Sequence, residues 1–291
     1  MRSTRTTSAR AAAVVTVALL VVGCGGSDDG AVGAGGGAAM GGSSVATRCT
    51  EAPPEDLRVE VVRSLERSGD SYTQGLVVAD DRLFESGGRY GESTLRELDP
   101  DSGEELHRVD VDAELFAEGL GVAPDGSLVQ LTWKEGTALV WDPDSFEVVD
   151  ELRYDGEGWG LTALGDGNLV MSDGSDTLVE RDPSDFSVRR EMQIRRVGGQ
   201  ADRLNELDFD GESVWANRYQ TDELLRIDPE CWTVDGVVDL SALREQADAL
   251  VEEPDEPFDV TNGVAHIPGT DRYLVTGKWW PVIFEVRFVP T

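Results

Sequence analysis

Apolar residues in the body of this chain come in short runs, most of them cut off by the same dipeptide. Leu95–Leu98, Ala138–Trp141, Leu178–Arg181 and Leu224–Ile227 end at Asp99-Pro100, Asp142-Pro143, Asp182-Pro183 and Asp228-Pro229. Proline cannot donate to a ladder and fixes φ, so each pair predicts the end of a strand and a turn into the next. A second marker precedes each of these, an apolar residue usually following glycine. It reads Gln74-Gly75-Leu76, Glu118-Gly119-Leu120, Trp159-Gly160-Leu161, Asn205-Glu206-Leu207 and Asn262-Gly263-Val264. The two markers run in phase, with a period of roughly 40 to 57 residues and several short strands per unit, which predicts a β-propeller. Five copies predict an all-β, five-bladed propeller.

Two segments fall outside the repeat. Leu240 to Glu253 is rich in Leu, Ala, Glu and Gln, with Leu243, Ala247 and Leu250 at helical spacing. It predicts a short helical insertion between blades four and five, ended by Pro254 and Pro257. Leu57–Leu65 lies before the first marker and is expected to pair with the last strand, Ile283–Phe288, closing the ring and removing open edges.

In a propeller the first strand of each blade lines the central channel, so equivalent positions form a ring. Here that ring holds Gln74, Glu118, Trp159, Asn205 and Asn262. Two side-chain amides, an acid, an indole and a third amide are a mixed set that reads as a binding site. A second ring follows on the next strands, around Phe84–Gly88, Leu131–Lys134, Met171–Gly174, Trp215–Tyr219 and Thr276–Trp280. Lys134 and Lys278 are the only lysines in the chain, and both sit there. Tyr72 and Phe116 lie two residues before Gln74 and Glu118, hence on the same strand face, where they could wall the same pocket.

The first 24 residues read as an export signal. Arg2, Arg5 and Arg10 precede an apolar run from Ala11 to Val22, too short to span a bilayer. Val21-Val22-Gly23-Cys24 resembles the lipobox of bacterial lipoproteins, which makes Cys24 the lipidation site. Residues 25–48 are mostly Gly, Ala and Ser and read as a flexible tether, leaving 49–291 as the globular domain. The expected location is the outer face of a bacterial cell membrane. Export permits a disulfide between the remaining cysteines, Cys49 and Cys231.

The formal charge of -32 argues against nucleic acid as a partner, because binding it needs clustered Lys and Arg. The two histidines, His107 and His266, lack metal-ligand spacing, and no HExxH or CxxC occurs, so a zinc enzyme is disfavoured. The Asp-rich turns Asp173–Asp176 and Asp208–Gly211 could offer oxygens to calcium, but neither has an EF-hand pattern and plain hairpin turns are the expectation.

Segments spread from Leu57 to Phe288 together resemble the glutaminyl-peptide cyclotransferases of the papaya-latex and bacterial type. They are Tyr72–Leu76, Leu83–Ser86, Phe116–Leu120, Gly158–Leu161, Ser172–Gly174, Leu204–Leu207, Trp215–Asn217, Gln220–Asp222, Asn262–Val264 and Thr276–Pro281. The resemblance implies a five-bladed propeller and a cofactor-free aminoacyl transfer, in which the α-amine of an N-terminal glutamine attacks its own carboxamide and ammonia leaves. It implies Glu118 as the acid–base group, with Asn205 and Lys278 holding the carboxamide and the developing oxyanion. Gln74, Tyr72, Phe116, Trp133 and Trp159 match the expected pocket walls, with Asn262 on the same ring. Tyr219 departs from the pattern, standing where the family usually has Trp. The implied partner is a peptide or protein beginning with Gln, and a closed propeller can stand alone as a monomer. The rival readings are a propeller that binds a peptide or small molecule without turnover and a metal-dependent lactonase-like hydrolase. Trp159 and Lys278 on the ring argue against the second. A serine hydrolase is disfavoured because no GxSxG occurs.

Overall fold

The computed structural model describes residues 49, 51–67, 70–250 and 260–291. The expected signal segment, Cys24 and the tether lie outside the described residues, as do Pro254 and Pro257. What is described is all-β apart from one short helix.

A long strand, β1 (Glu55–Glu66), comes first. Four strands follow, β2 (Thr73–Ala79), β3 (Arg82–Gly87), β4 (Thr94–Leu98) and β5 (Glu105–Asp110), forming one antiparallel sheet in that order. The next sheet is β6 (Ala117–Val122), β7 (Leu128–Thr132), β8 (Thr137–Trp141) and β9 (Val148–Arg153). The third is β10 (Leu161–Ala163), β11 (Leu169–Ser172), β12 (Thr177–Arg181) and β13 (Val188–Gln193). Then come β14 (Leu204–Phe209), β15 (Val214–Arg218), β16 (Glu223–Asp228) and β17 (Thr233–Asp239), helix α1 (Ser241–Asp248), β18 (Thr261–His266), β19 (Tyr273–Gly277) and β20 (Val282–Pro290).

The strand pattern of the last part differs from a simple series of sheets. Strand β1 runs antiparallel to β20, with Leu65 opposite Ile283, and parallel to β17, with Asp56 opposite Val237. It thereby joins both groups into one eight-stranded sheet, β14-β15-β16-β17-β1-β20-β19-β18. The expected pairing of Leu57–Leu65 with Ile283–Phe288 is present.

The first strands of successive groups are neighbours in a cycle, β2 beside β6, β6 beside β10, β10 beside β14, β14 beside β18, and β18 beside β2. Glycine at the marker lets them meet. A Cβ built on Gly119 would stand 2.5 Å from the Trp159 carbonyl oxygen, and one on Gly160 2.0 Å from that of Asn205. No side chain fits there. The one marker without glycine, Glu206, uses the space: its carboxylate accepts from the backbone N–H groups of Leu76 and Val264, at 3.2 and 2.9 Å. Burial, with the Asp208 charge nearby, raises the Glu206 pKa well above the carboxylate range.

Apolar residues fill the spaces between facing sheets. Phe84, Leu95, Leu120, Leu128 and Phe146 form one such layer, and Leu65, Leu76, Leu83, Leu274 and Ile283 form the layer that seals the cycle. Each fully buried leucine contributes about 1.5–3 kcal/mol relative to exposure. Outer strands β5, β9 and β13 are mostly exposed.

The Asp-Pro turns are built alike. Asp99 Oδ1 accepts from the N–H of Asp101 and Ser102, and Asp142, Asp182 and Asp228 accept similarly within their turns. Four residues on, the chain takes a positive φ, at Gly103, Phe146, Phe186 and Trp232, and that N–H returns to the Asp carbonyl. The ladder slips by one residue just before each turn, as in a hairpin with a bulge.

Helix α1 follows β17, with Leu243 and Ala247 buried. It stops at Asp248, shorter than the expected run to Glu253. Leu250 is past its end and exposed, so it does not share the buried face. Cys49 and Cys231 form a disulfide, their Cα atoms 5.4 Å apart.

Candidate active site

A cavity of about 250 Å³ opens at one end of the cycle of first strands. That is small beside the roughly 300–1,000 Å³ of pockets for drug-sized ligands, and suits a single amino-acid side chain with its amine. Gln74, Glu118 and Asn205 form its polar floor, and Lys278 joins them from the loop after β19. Tyr72, Phe116, Trp133, Trp159 and Tyr219 form its walls.

Glu118 is buried, and Gln74 Nε2 donates to its Oε1 at 3.2 Å. Burial pushes its pKa well above the carboxylate range. The charge of Lys278 pulls it back down, while Glu157 and Glu135 push it further up. Gln74 Oε1 and Asn205 Oδ1 are also buried and have no hydrogen-bond partner among the described residues. Buried amides are costly to leave unpaired, so these two oxygens are ready acceptors for a ligand's N–H groups.

The walls support one another edge to face. Phe116 stands 6.5 Å from Tyr72 and 5.6 Å from Trp133, and Trp159 stands 5.4 Å from Tyr219. Lys278 Nζ lies 4.6 Å from the Tyr72 ring centre and 5.1 Å from that of Tyr219, so both rings face a cation. The loops that present these residues are strained. Arg203, Gln220 and Trp279, each next to or near a pocket residue, have φ of 57°, 59° and 66°. At Gly174 the strain is absorbed by glycine. Its φ is +82°, and a Cβ there would stand 2.7 Å from the Trp159 indole.

Side chains of the second strands fix the first. Ser86 Oγ donates to the Glu118 carbonyl, Ser172 Oγ to the Asn205 carbonyl, and Asn217 Oδ1 accepts from Gly263 N–H. These three belong to the second ring read from the sequence. They act between neighbouring groups of strands rather than in the pocket.

The structure brings nine of the ten expected site residues to the cavity. Asn262 is the exception. Its Nδ2 donates to the Thr73 carbonyl at 3.0 Å, which ties β18 to β2, and it does not line the cavity. Lys278 fills that side instead. Lys134 is also outside, half-exposed on the Trp133 ring at 3.5 Å. Glu157, which no repeat or motif pointed to, accepts from the indole N–H of both Trp133 and Trp159. The carboxylates of the Asp-rich turns accept hydrogen bonds from neighbouring protein groups. Asp173 Oδ1 accepts from Ser175 N–H and Oγ–H, and the Asp210 oxygens accept from Glu212, Ser213, Trp215 and Tyr273.

Fold and site together define a propeller-like protein with a buried carboxylate, Glu118, in the cavity where its first strands converge. Comparison with known proteins is specific. A sequence model of the glutamine cyclotransferase family matches residues 37–288. The chain is 34% identical over 231 residues to a glutaminyl-peptide cyclotransferase of Arabidopsis thaliana, covering 79% of this chain and 71% of that one. The crystal structure of Myxococcus xanthus glutaminyl cyclase superposes with a TM-score of 0.74 at 34% identity, covering 82% of this chain and 99% of the other. This chain belongs to the glutamine cyclotransferase family.

Proposed function

We propose that this protein converts the N-terminal glutamine of peptides or proteins to pyroglutamate with release of ammonia. The observation that carries the reading is the Glu118 carboxyl, buried with Lys278 in an aromatic cup, where desolvation favours its protonated form. The two reacting groups belong to one residue, so the enzyme's task is to hold the side chain folded and to move protons. Tyr72, Phe116, Trp133, Trp159 and Tyr219 confine the chain of methylenes and exclude water. Gln74 and Asn205 offer amide groups to the substrate's amine and carboxamide.

The neutral α-amine attacks the side-chain carbonyl carbon. A new C–N bond forms and the carbonyl electrons move onto oxygen, where the Lys278 ammonium and the Asn205 amide support the developing charge. Glu118 takes a proton from the attacking nitrogen and returns it to the departing one, so that ammonia rather than amide anion leaves. A carboxylate raised by burial suits both halves of that exchange, and such acid–base work contributes roughly 10² to 10⁴ in rate.

Reading the eight-stranded sheet as two groups of four makes the fold a five-bladed propeller, with α1 between the fourth and fifth blades. The cycle of five first strands supports this. Export and anchoring through Cys24 belong to the same proposal, supported by the Cys49–Cys231 bridge, which needs an oxidising compartment. A monomer is the proposed state.

The test is turnover of a Gln-initiated dipeptide amide by the domain from residue 47 onward, followed by ammonia release and by mass. Turnover that survives a chelator and is lost in Glu118→Gln supports the proposal. Absence of turnover on several such peptides by a folded protein would overturn it in favour of a binding module.

A further inference from the structure

Glu157 lies outside every repeat marker, on the turn between β9 and β10. Its neighbours fix its place, since Gly158 N–H donates to the Trp133 carbonyl and Trp159 N–H to the Ser172 carbonyl. One oxygen, Oε2, accepts from Trp133 Nε1 at 2.8 Å and Trp159 Nε1 at 3.1 Å. The other, Oε1, lies 3.7 Å from Lys134 Nζ, which in turn sits 3.5 Å from the Trp133 ring centre. An indole has a single donor, and both donors of these two walls go to one atom. The walls come from different sheets, Trp133 from the end of β7 and Trp159 from the approach to β10, and no aromatic contact joins them directly.

We propose that Glu157 is a positioning residue for substrate binding, clamping the two tryptophan walls of the cavity through their indole N–H groups, with Lys134 balancing its charge from the solvent side. The substrate's side chain would then meet a slot of fixed width, so Glu157 acts mainly on affinity. A charge-assisted acceptor shared by two donors suits this role better than separate water contacts, because one displacement would release both rings. This inference rests on the cyclization proposed above for its kinetic part only.

The experiment compares Glu157→Ala and Glu157→Gln with the unaltered protein. Two quantities are read, steady-state kinetics on a Gln-initiated dipeptide amide and hydrogen exchange of the indole N–H groups by NMR. The amide oxygen of Gln can still accept both indole hydrogens, whereas Ala cannot. In Glu157→Ala, KM rises about tenfold or more, the size expected on loosening a part-buried polar contact at a binding site, while kcat changes much less. The Trp133 and Trp159 indole protons exchange faster in that variant and the other indoles do not. Glu157→Gln recovers most of both losses. Unchanged exchange at Trp133 and Trp159 in Glu157→Ala overturns the clamp, whatever the kinetics. Equal impairment by Gln and Ala overturns it too, assigning the effect to charge alone. The exchange measurement needs no turnover, so a failure of the cyclization reading stays distinct from a failure of the clamp.

Discussion

Ser86 Oγ donates to the carbonyl oxygen of Glu118 at 2.5 Å, from one sheet to the next. The same hydroxyl accepts from Gln130 Nε2 at 2.8 Å. The backbone carrying the acid is therefore held from the side, independently of the acid's own contacts. Ser86→Ala leaves that carbonyl buried and unpaired, with an expected loss of about 1–3 kcal/mol in stability. It should also lower kcat more than it raises KM. Denaturant melts and steady-state kinetics check both.

Glu118→Gln separates chemistry from folding. Turnover should fall by roughly 10² to 10⁴. Stability should move the other way at neutral pH. The folded pKa of Glu118 lies above its unfolded value of roughly 4.3, so wild-type stability is undiminished below that value and declines as pH rises through the folded pKa. The amide carries no such penalty. The melting temperature of the variant should match wild type in acid and exceed it increasingly toward neutral pH.

Lys278 lowers the pKa of Glu118 by its charge. In Lys278→Met the residual activity should lose its acid limb at higher pH than wild type, since the base now protonates more readily. A pH profile of kcat/KM reads the free enzyme directly. A limb that stays in place would separate Lys278 from the titration of Glu118.

Glu85 shows the opposite electrostatics. It is buried between Arg67, Arg96 and the Thr73 hydroxyl. Desolvation raises its pKa, and the two arginines together with hydrogen bonds outweigh it, so the net shift is downward. Its stabilisation is present above the unfolded carboxylate pKa and is lost as pH falls through the folded one. Glu85→Ala strands Arg67 at the seam between β2 and the last sheet, with an expected cost of about 3–5 kcal/mol. Urea melts at neutral pH measure it.

Gly174→Ala tests the wall by space rather than charge. The added methyl would need a positive φ and would meet the Trp159 indole at 2.7 Å. The ring must tilt into the cavity, so KM should rise about tenfold with a modest stability loss of about 1 kcal/mol.

Much of this was legible in the residues. Asp-Pro and Gly-Leu markers recur because each unit needs the same turn and the same close approach at the centre, and the equivalent positions Gln74, Glu118, Trp159 and Asn205 do converge. Asn262 shares that position but lies outside the cavity, because at the seam its Nδ2 donates to the Thr73 carbonyl on β2, a contact visible only once the ends meet. The positive φ at Phe146, Phe186 and Trp232 was not legible, although it recurs four residues after each Asp-Pro turn, because only the first turn marks that position with glycine, at Gly103. Nor was Glu157. A half-exposed glutamate in a charged chain looks ordinary until two indoles are seen to share it.

The seam made by β1 sets an order of events for the nascent protein. Leu57 lies opposite Pro290, so the first strand waits for the last one before either is fully paired. Contacts between such distant parts of a chain form slowly. Until β20 is made, only the short parallel pairing of Glu55–Leu57 with β17 can hold β1, and the rest of the strand stays open to proteases until the seam closes.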